Sequence, residues 1–254
     1  MERDIDLNRH FGPDTEVEYE PNSTFNKEDL FLKTTNFYNR NAASFDRINI
    51  GASDYMELFA NLLIRNSGKY SLILDAGGGN GNNSRSLASY GFRITFNDIS
   101  QNMIDYAKNN LKGYRNVKFL MPCNMLRLAF PSCTFDGIIA SFSLIHMLDD
   151  DIVEALIKFN RFLKIHGLIY IAMQCYGSNE SYRTDSYLHK IAHPIFDEVE
   201  YINVYSKQKT REIMNKCGFS DVKLDESRPP RENELPFDKH FCIAKKVSNV
   251  ENIL

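Results

Sequence analysis

Apolar positions change their spacing near residue 70. Across residues 28–66 they recur at helical intervals: Phe31, Leu32, Phe37 and Tyr38, then Tyr55, Leu58, Phe59, Leu62 and Leu63. This spacing predicts helices with one buried face. From residue 70 the rhythm becomes that of short apolar runs of strand length, at 71–74, 93–96, 117–121, 136–141 and 168–173. Helical stretches at 84–90, 103–111 and 151–163 separate them. Repeated strand–helix alternation predicts βαβ units, hence an α/β fold with a parallel sheet and right-handed crossovers.

Beyond residue 173 the alternation lapses. Residues 174–206 are rich in Tyr, His, Ser and Asp and are long for a connector. A helix is predicted at 206–217, with Gly218 at its C-terminal cap. Two last strands are expected at 221–224 and 241–245, joined by an extended loop, 225–239, that holds Pro229, Pro230 and Pro236. Residues 1–26 are polar and aperiodic and read as a flexible arm. The division expected is therefore an arm (1–26) and one domain (27–254), with lid helices at 27–66 and an inserted cap at about 174–205.

Composition narrows the class. The 254 residues are 43% hydrophobic and 25% charged, with a net charge of −3. No apolar run approaches the roughly 18 residues that span a bilayer. The Met-Glu-Arg-Asp-Ile-Asp start lacks the regions of a signal peptide, so a cytoplasmic protein is expected, with no membrane association. The slight acidity argues against gripping a long phosphate backbone. Five scattered cysteines, none in a C-x-x-C pair, give no reason to expect structural zinc or disulfides. His189 and His193 lie four apart, a spacing that would share a helix face, yet no nearby carboxylate completes a metal set and no metal is expected. With Tyr182 and Tyr187 this region reads instead as an acceptor-binding cap. Lys207, Lys209, Arg211 and Lys216 read as a solvated face.

The chemistry concentrates in Ser71-Leu-Ile-Leu-Asp-Ala-Gly-Gly-Gly-Asn-Gly-Asn-Asn83, which places four of the 13 glycines between residues 77 and 81. It follows an apolar strand and precedes a helix that Asn83 or Ser84 would cap. A glycine turn there lets a ligand press on bare backbone beyond the carboxyl ends of the strands. The dinucleotide pattern G-x-G-x-x-G fails, because its third glycine would fall at Asn82 or Ser84, and no Gly-Lys-Ser/Thr follows. What remains is Asp75-x-Gly77-x-Gly79-x-Gly81.

That string resembles the first motif of the class I S-adenosylmethionine-dependent methyltransferases, and four later segments agree in order. Ile94-Thr-Phe-Asn-Asp98-Ile-Ser-Gln-Asn-Met103 is similar to the family's V-x-G-x-D-I-S-x-x-M segment. The stretch from Cys123 to Asp136 resembles its G-D-A-x-x-L-P-F-x-x-x-x-F-D, and Ser141-Phe-Ser-Leu-Ile-His146 its S-x-x-L-H-H. Arg161-Phe-Leu-Lys-Ile-His-Gly167 resembles the R-x-L-K-P-G-G turn, with His166 in place of proline. Asn36-Phe-Tyr38-Asn-Arg-Asn-Ala-Ala-Ser-Phe45-Asp46 looks like the Y-x-x-x-A-x-x-Y-D lid of many small-molecule members.

The resemblance implies a Rossmann-like, doubly wound, mostly parallel seven-stranded sheet with an antiparallel last strand. It implies S-adenosylmethionine as methyl donor and S-adenosylhomocysteine as product. The residues it assigns to the donor are Asp75, Gly77, Gly78, Gly79, Gly81, Asp98, Ile99, Met103, Asn124, Met125 and Ser141. Asp98 would accept the ribose hydroxyls in charge-assisted bonds, and Asp75 would order the turn. Ile99 and Met103 would wall the adenine, and Asn124, where the family has aspartate, would bond its amino group. Tyr38 and Phe45 would cover the methionine end. His146 would orient the donor or take a proton; with Tyr38 it forms the expected catalytic pair. The expected reaction is methyl transfer to a small molecule. An RNA or protein methyltransferase and an inactive scaffold that binds the donor remain alternatives, and the acceptor atom and oligomeric state stay open.

Overall fold

The computed structural model describes residues 17–21, 26–47, 54–175, 187–192, 199–224 and 238–249. In chain order, β1 (Val17–Pro21) precedes two helices, α1 (Lys27–Arg47) and α2 (Asp54–Ser67). The alternating region follows as β2 (Leu72–Ala76), α3 (Asn82–Ser89), β3 (Arg93–Asn97), α4 (Gln101–Asn110), β4 (Val117–Phe119), β5 (Phe135–Ser141), α5 (Asp149–Phe162) and β6 (Leu163–Cys175). The C-terminal part contains β7 (Tyr187–Ala192), β8 (Val199–Asn203), α6 (Lys207–Lys216), β9 (Phe219–Leu224) and β10 (Asp238–Lys246).

Seven strands form one sheet in the order β4-β3-β2-β5-β6-β10-β9. The pairs β2–β3, β2–β5, β3–β4 and β5–β6 are parallel, and β10 runs antiparallel to both of its neighbours. This is the expected sheet with its reversed last strand. Successive crossovers build outward from β2 to β4, then resume on the other side at β5, so the order reverses between β2 and β5. Ligands of open parallel sheets bind at the carboxyl ends beside such a reversal. β5 is buried from Phe135 to Ala140, as a central strand covered on both faces must be. One face packs Phe135, Ile138, Leu156, Phe159 and Ile169, while the other packs Met56, Phe59, Leu63, Ile73 and Ile94.

Local chemistry fixes several element ends. Ser100 caps α4 by accepting the Met103 N–H, and Ser206 caps α6 by accepting the Lys209 N–H. Three aspartates in the first turn of α5 oppose the positive end of its dipole. The start of α3 differs from expectation. Its cap is Gly81, at φ 84° and without a side-chain bond, whereas Ser84 turns inward to donate to Asp75 Oδ2 at 2.6 Å. Asp75 needs that hydroxyl more than the helix needs a side-chain cap, because it is a buried carboxylate.

The N-terminal region also departs from the sequence reading. Residues 17–21 are not a loose arm: β1 pairs antiparallel with β7, which pairs antiparallel with β8 in a separate three-stranded sheet. His189 therefore lies on a strand rather than a helix, which removes the basis for pairing it with His193. His193, Tyr182, residues 1–16 and the proline loop at 225–237 lie outside the described residues. The small sheet is anchored to the rest of the fold through β8. β8 packs on α1 and on the 3-10 turn Leu144–His146, and Gln174 at the end of β6 bridges to Val204. Among the described residues, no helix is long and apolar enough to cross a membrane.

Candidate active site

The end of β2 continues directly into the glycine turn, which is pinned to β3. The N–H groups of Gly77 and Gly78 both donate to the Asn97 carbonyl, at 2.9 and 3.0 Å. Two glycines carry distinct requirements. A Cβ on Gly78 would stand 2.2 Å from the Phe96 ring, so this position is held bare by the protein's own packing. Gly79, at φ 57°, has no atom within 4 Å of where its Cβ would be, because that side opens into a cavity.

Asp98 closes the turn from the other side. Its Oδ2 accepts the Gly79 N–H and its Oδ1 the Ser100 N–H, both at 2.8 Å. Burial pushes its pKa up, and the backbone N–H groups of Ser100, Gly79 and Ile99 pull against that rise. Each carboxylate oxygen keeps acceptor capacity toward the cavity. Asp75 sits behind the turn. Desolvation lifts it to about 7, opposed by the Ser84 bond and reinforced by Asp98, and its Oδ1 is buried without a hydrogen-bond partner among the described residues.

The cavity has a volume of about 450 Å³. Of the sequence candidates, it brings together Tyr38, Gly77, Gly78, Gly79, Asp98, Ile99, Met103, Asn124, Met125, Ser141 and His146. Asp75 and Gly81 do not line it; Gly81 packs instead toward Leu111 and Ala107. Asn124 has a second task, since its Oδ1 accepts the Leu126 N–H at 2.9 Å and caps a 3-10 turn. The lid helix α1 is tied down beside the cavity. Asn39 accepts from the Ser100 hydroxyl, and Asn102 donates back to the Asn39 carbonyl.

The lining also includes aromatic rings, those of Phe31, Tyr55, Phe142, Tyr170 and Phe241. Tyr55 stacks on Phe241 at 4.7 Å, and Phe142 meets Phe241 edge-on. Phe142 adopts φ 53°, a left-handed conformation that costs a non-glycine residue of order 1–3 kcal/mol and gathers at functional sites. No residue-type pattern announces it, and the sequence reading missed it.

Tyr38 and His146 of the lining belong to a polar cluster completed by the buried Glu200. The Tyr38 hydroxyl is 2.7 Å from His146 Nε2 and donates to Glu200 Oε1 at 3.0 Å. His146 Nδ1 is 3.1 Å from the Tyr201 carbonyl. The rings of Tyr38 and Phe45 lie 5.1 Å apart, so Phe45 supports the tyrosine. Desolvation lowers His146 to about 4, raises Glu200 to about 7 and raises Tyr38. The sequence reading missed Glu200. Glu200 shares a strand face with Ile202, which the structure shows fully buried, and nothing in the sequence of this polar insertion marks that face as inward.

This arrangement can now be set against known proteins. A family model described as a methyltransferase domain matches residues 73–167, from β2 into β6, the span that carries the glycine turn, Asp98 and His146. Over that span the chain carries a methyltransferase domain. Around that domain the chain is similar to a demethylmenaquinone methyltransferase of Tropheryma whipplei, 30% identical over 112 residues, covering 42% of this chain and 45% of the relative. It thus spans less than half the length of that relative. In fold it is similar to the 1,6-didemethyltoxoflavin-N1-methyltransferase of Burkholderia thailandensis, solved with S-adenosylhomocysteine. There the TM-score is 0.68 at 17% identity, covering 93% of this chain and 97% of the other. The magnesium protoporphyrin IX methyltransferase of Synechocystis PCC 6803, solved with bound S-adenosylmethionine, gives a TM-score of 0.60 at 16% identity, covering 85% and 97%.

Proposed function

We propose that the protein transfers a methyl group from S-adenosylmethionine to a small, largely apolar acceptor. The observation that carries this reading is one continuous cavity. Its lining combines an acid and bare glycine backbone, aromatic rings, and the Tyr38–His146 pair. The residues present suit the donor. Asp98 has acceptor capacity for the two ribose hydroxyls, Ile99, Met103 and Met125 offer apolar walls for the base, and the open side of Gly79 leaves room beside the turn. The orphaned buried Oδ1 of Asp75 offers a negative dipole near a positively charged ligand. Asn124 would meet the adenine amino group with what remains free on its amide.

When bound, the donor supplies a methyl group on a positive sulfur, whose transfer neutralises that charge in an in-line displacement. The protein's task is alignment and dryness more than acid–base power. Helix α1, tied to the start of α4, and the Tyr38–His146 pair serve that demand by walling the cavity.

The aromatic part of the lining favours a small molecule over RNA or a protein side chain, since Phe31, Tyr55, Phe142 and Phe241 offer stacking surfaces and few charges. The relatives named for demethylmenaquinone and didemethyltoxoflavin act on small ring compounds, in line with this choice. The test is incubation with methyl-labelled S-adenosylmethionine and a metabolite extract. Label is expected in the small-molecule fraction, and label retained on macromolecules would overturn the acceptor class.

A further inference from the structure

Methyl transfer to a nucleophile that carries no proton does not require an acid buried beside the cavity. Glu200 is 5% exposed, does not line the cavity, and faces two residues that do, Tyr38 and His146. The hydrogen-bond pattern fixes how protons are arranged. The Tyr201 carbonyl can only accept, so His146 carries its proton on Nδ1 and presents a lone pair at Nε2. The Tyr38 hydroxyl then has one proton and two acceptors within reach, His146 Nε2 and Glu200 Oε1.

Two states follow. With Glu200 ionised, Tyr38 donates to Glu200, and the oxygen of Tyr38 is left to accept from the cavity. With Glu200 protonated, Glu200 donates to Tyr38 and Tyr38 donates to His146 Nε2, so the Tyr38 hydroxyl accepts and donates at once. The cluster thus has room for one proton more than it holds in the first state.

We propose that Glu200, carried by β8 between β6 and β9 of the main sheet, takes up the proton that the methyl acceptor loses, relayed through the Tyr38 hydroxyl, and that the acceptor is a weakly acidic O–H or N–H compound on a conjugated ring. The proton leaves the acceptor for the Tyr38 oxygen as the Tyr38 proton passes to the Glu200 carboxylate. The X–H electron pair stays on X and forms the bond to the methyl carbon, while the pair of the broken S–CH3 bond stays on sulfur. The new Tyr38 proton turns to His146. Tyr38 is the catalytic residue here; Glu200 and His146 act through it.

Burial holds Glu200 at about 7 and His146 at about 4, which makes the carboxylate the better proton store at neutral pH. The groups that face Glu200 are Tyr38 on α1 and His146 on the turn after β5, while Asp98 acts on Tyr38 through its charge. Lys33 of α1 lies over the Tyr201 ring at 5.2 Å, and β7, whose Ile191 pairs with Glu200, carries His189 and Lys190.

The proposal rests on the methyltransferase reading, and two measurements on the full chain separate their failures. The first needs no acceptor. Carbon-13 and nitrogen-15 NMR of the S-adenosylhomocysteine complex is expected to show the Glu200 carboxyl titrating near 7, with His146 neutral and protonated on Nδ1. A Glu200 carboxyl already ionised well below that pH would overturn the proposal. The second follows labelled S-adenosylmethionine with naphthol, dihydroxynaphthalene and benzimidazole, against dimethylaniline, which carries no proton on its nitrogen. Turnover of the proton-bearing acceptors is expected to rise with pH through about 7. Glu200→Gln should abolish that rise and lower kcat about 100-fold or more, leaving the KM for the donor unchanged. Tyr38→Phe should cost as much, with no further loss in the double variant, and Glu200→Asp should restore part. A Glu200→Gln variant with wild-type kcat and pH profile, or transfer to dimethylaniline alone, would overturn the proposal. No turnover in a protein that binds S-adenosylhomocysteine overturns the acceptor class, whereas no binding at all sinks the methyltransferase reading beneath it.

Discussion

Replacing Glu200 with glutamine should change how stability depends on pH, whatever the acceptor. Burial lifts the Glu200 carboxyl from 4.5 to about 7, a rise of about 2.5 pH units. At about 1.4 kcal/mol for each, this amounts to about 3 kcal/mol. Because the folded pKa lies above the unfolded one, the folded state holds the proton more tightly. The group's contribution is then fully present below about 4.5 and is lost as pH rises through about 7. His146 acts oppositely. Its folded pKa of about 4 lies below the ordinary 6.5, so it adds stability as pH climbs across that window. Asp75, at about 7, and His240, at about 3, form a second opposed pair. The wild-type protein should therefore show a shallow profile between about pH 4.5 and 6.5, and Glu200→Gln should expose the upward slope. Urea denaturation at about pH 5 and pH 8 measures it: the stability difference, variant minus wild type, should grow by about 3 kcal/mol. The amide's own hydrogen bonds shift both values alike and drop out of the comparison. A difference that stays constant with pH would refute the reasoning, because Glu200 would then ionise as an ordinary surface acid.

Asp98→Asn should weaken S-adenosylhomocysteine binding by about 1.5–3 kcal/mol, the worth of hydrogen bonds to a charged group, and calorimetry on a folded variant with unchanged affinity would contradict this. Gly78→Ala should destabilise the fold by about 1–3 kcal/mol, since the new methyl must displace Phe96. Gly79→Ala should cost stability only the roughly 1–2 kcal/mol of a left-handed alanine while cutting ligand affinity at least tenfold, because its methyl enters the cavity. Thermal melts and calorimetry on the pair would expose the opposite pattern. Lys246→Met should lose about 1–3 kcal/mol in urea denaturation, because the buried ammonium donates to the carbonyls of Asn160 and Leu163; an unchanged midpoint would contradict it.

The main sheet was legible because its signal is local. The strands from β2 to β6 each carry apolar residues in a run, buried in all but the half-exposed edge strand β4, and each helix between them shows its own period. The glycine turn and Asp98 were legible for a similar reason, since neighbouring residues carry the whole pattern. The small sheet was not. β1 pairs with β7 across some 170 residues, Val17 with Ile191, and nothing in either short polar segment names its partner. His189 was misplaced on a helix because an interval of four fits a helix face and the pairing that makes it a strand lies elsewhere in the chain. Glu200 was overlooked because one acid in a polar insertion reads as surface, and only the packing of β8 over α1 and His146 buries it. The cap of α3 was misassigned because Ser84 has a competing partner in Asp75, nine residues earlier.

The most direct measurement is a crystal structure of the complex with S-adenosylhomocysteine. The ribose is expected at Asp98, with the adenine beside Ile99 and Met103 and the sulfur turned toward Tyr38 and His146. A nucleoside lodged away from the Gly77–Gly79 turn, or held there with its sugar out of reach of Asp98, would contradict the site proposed for this protein.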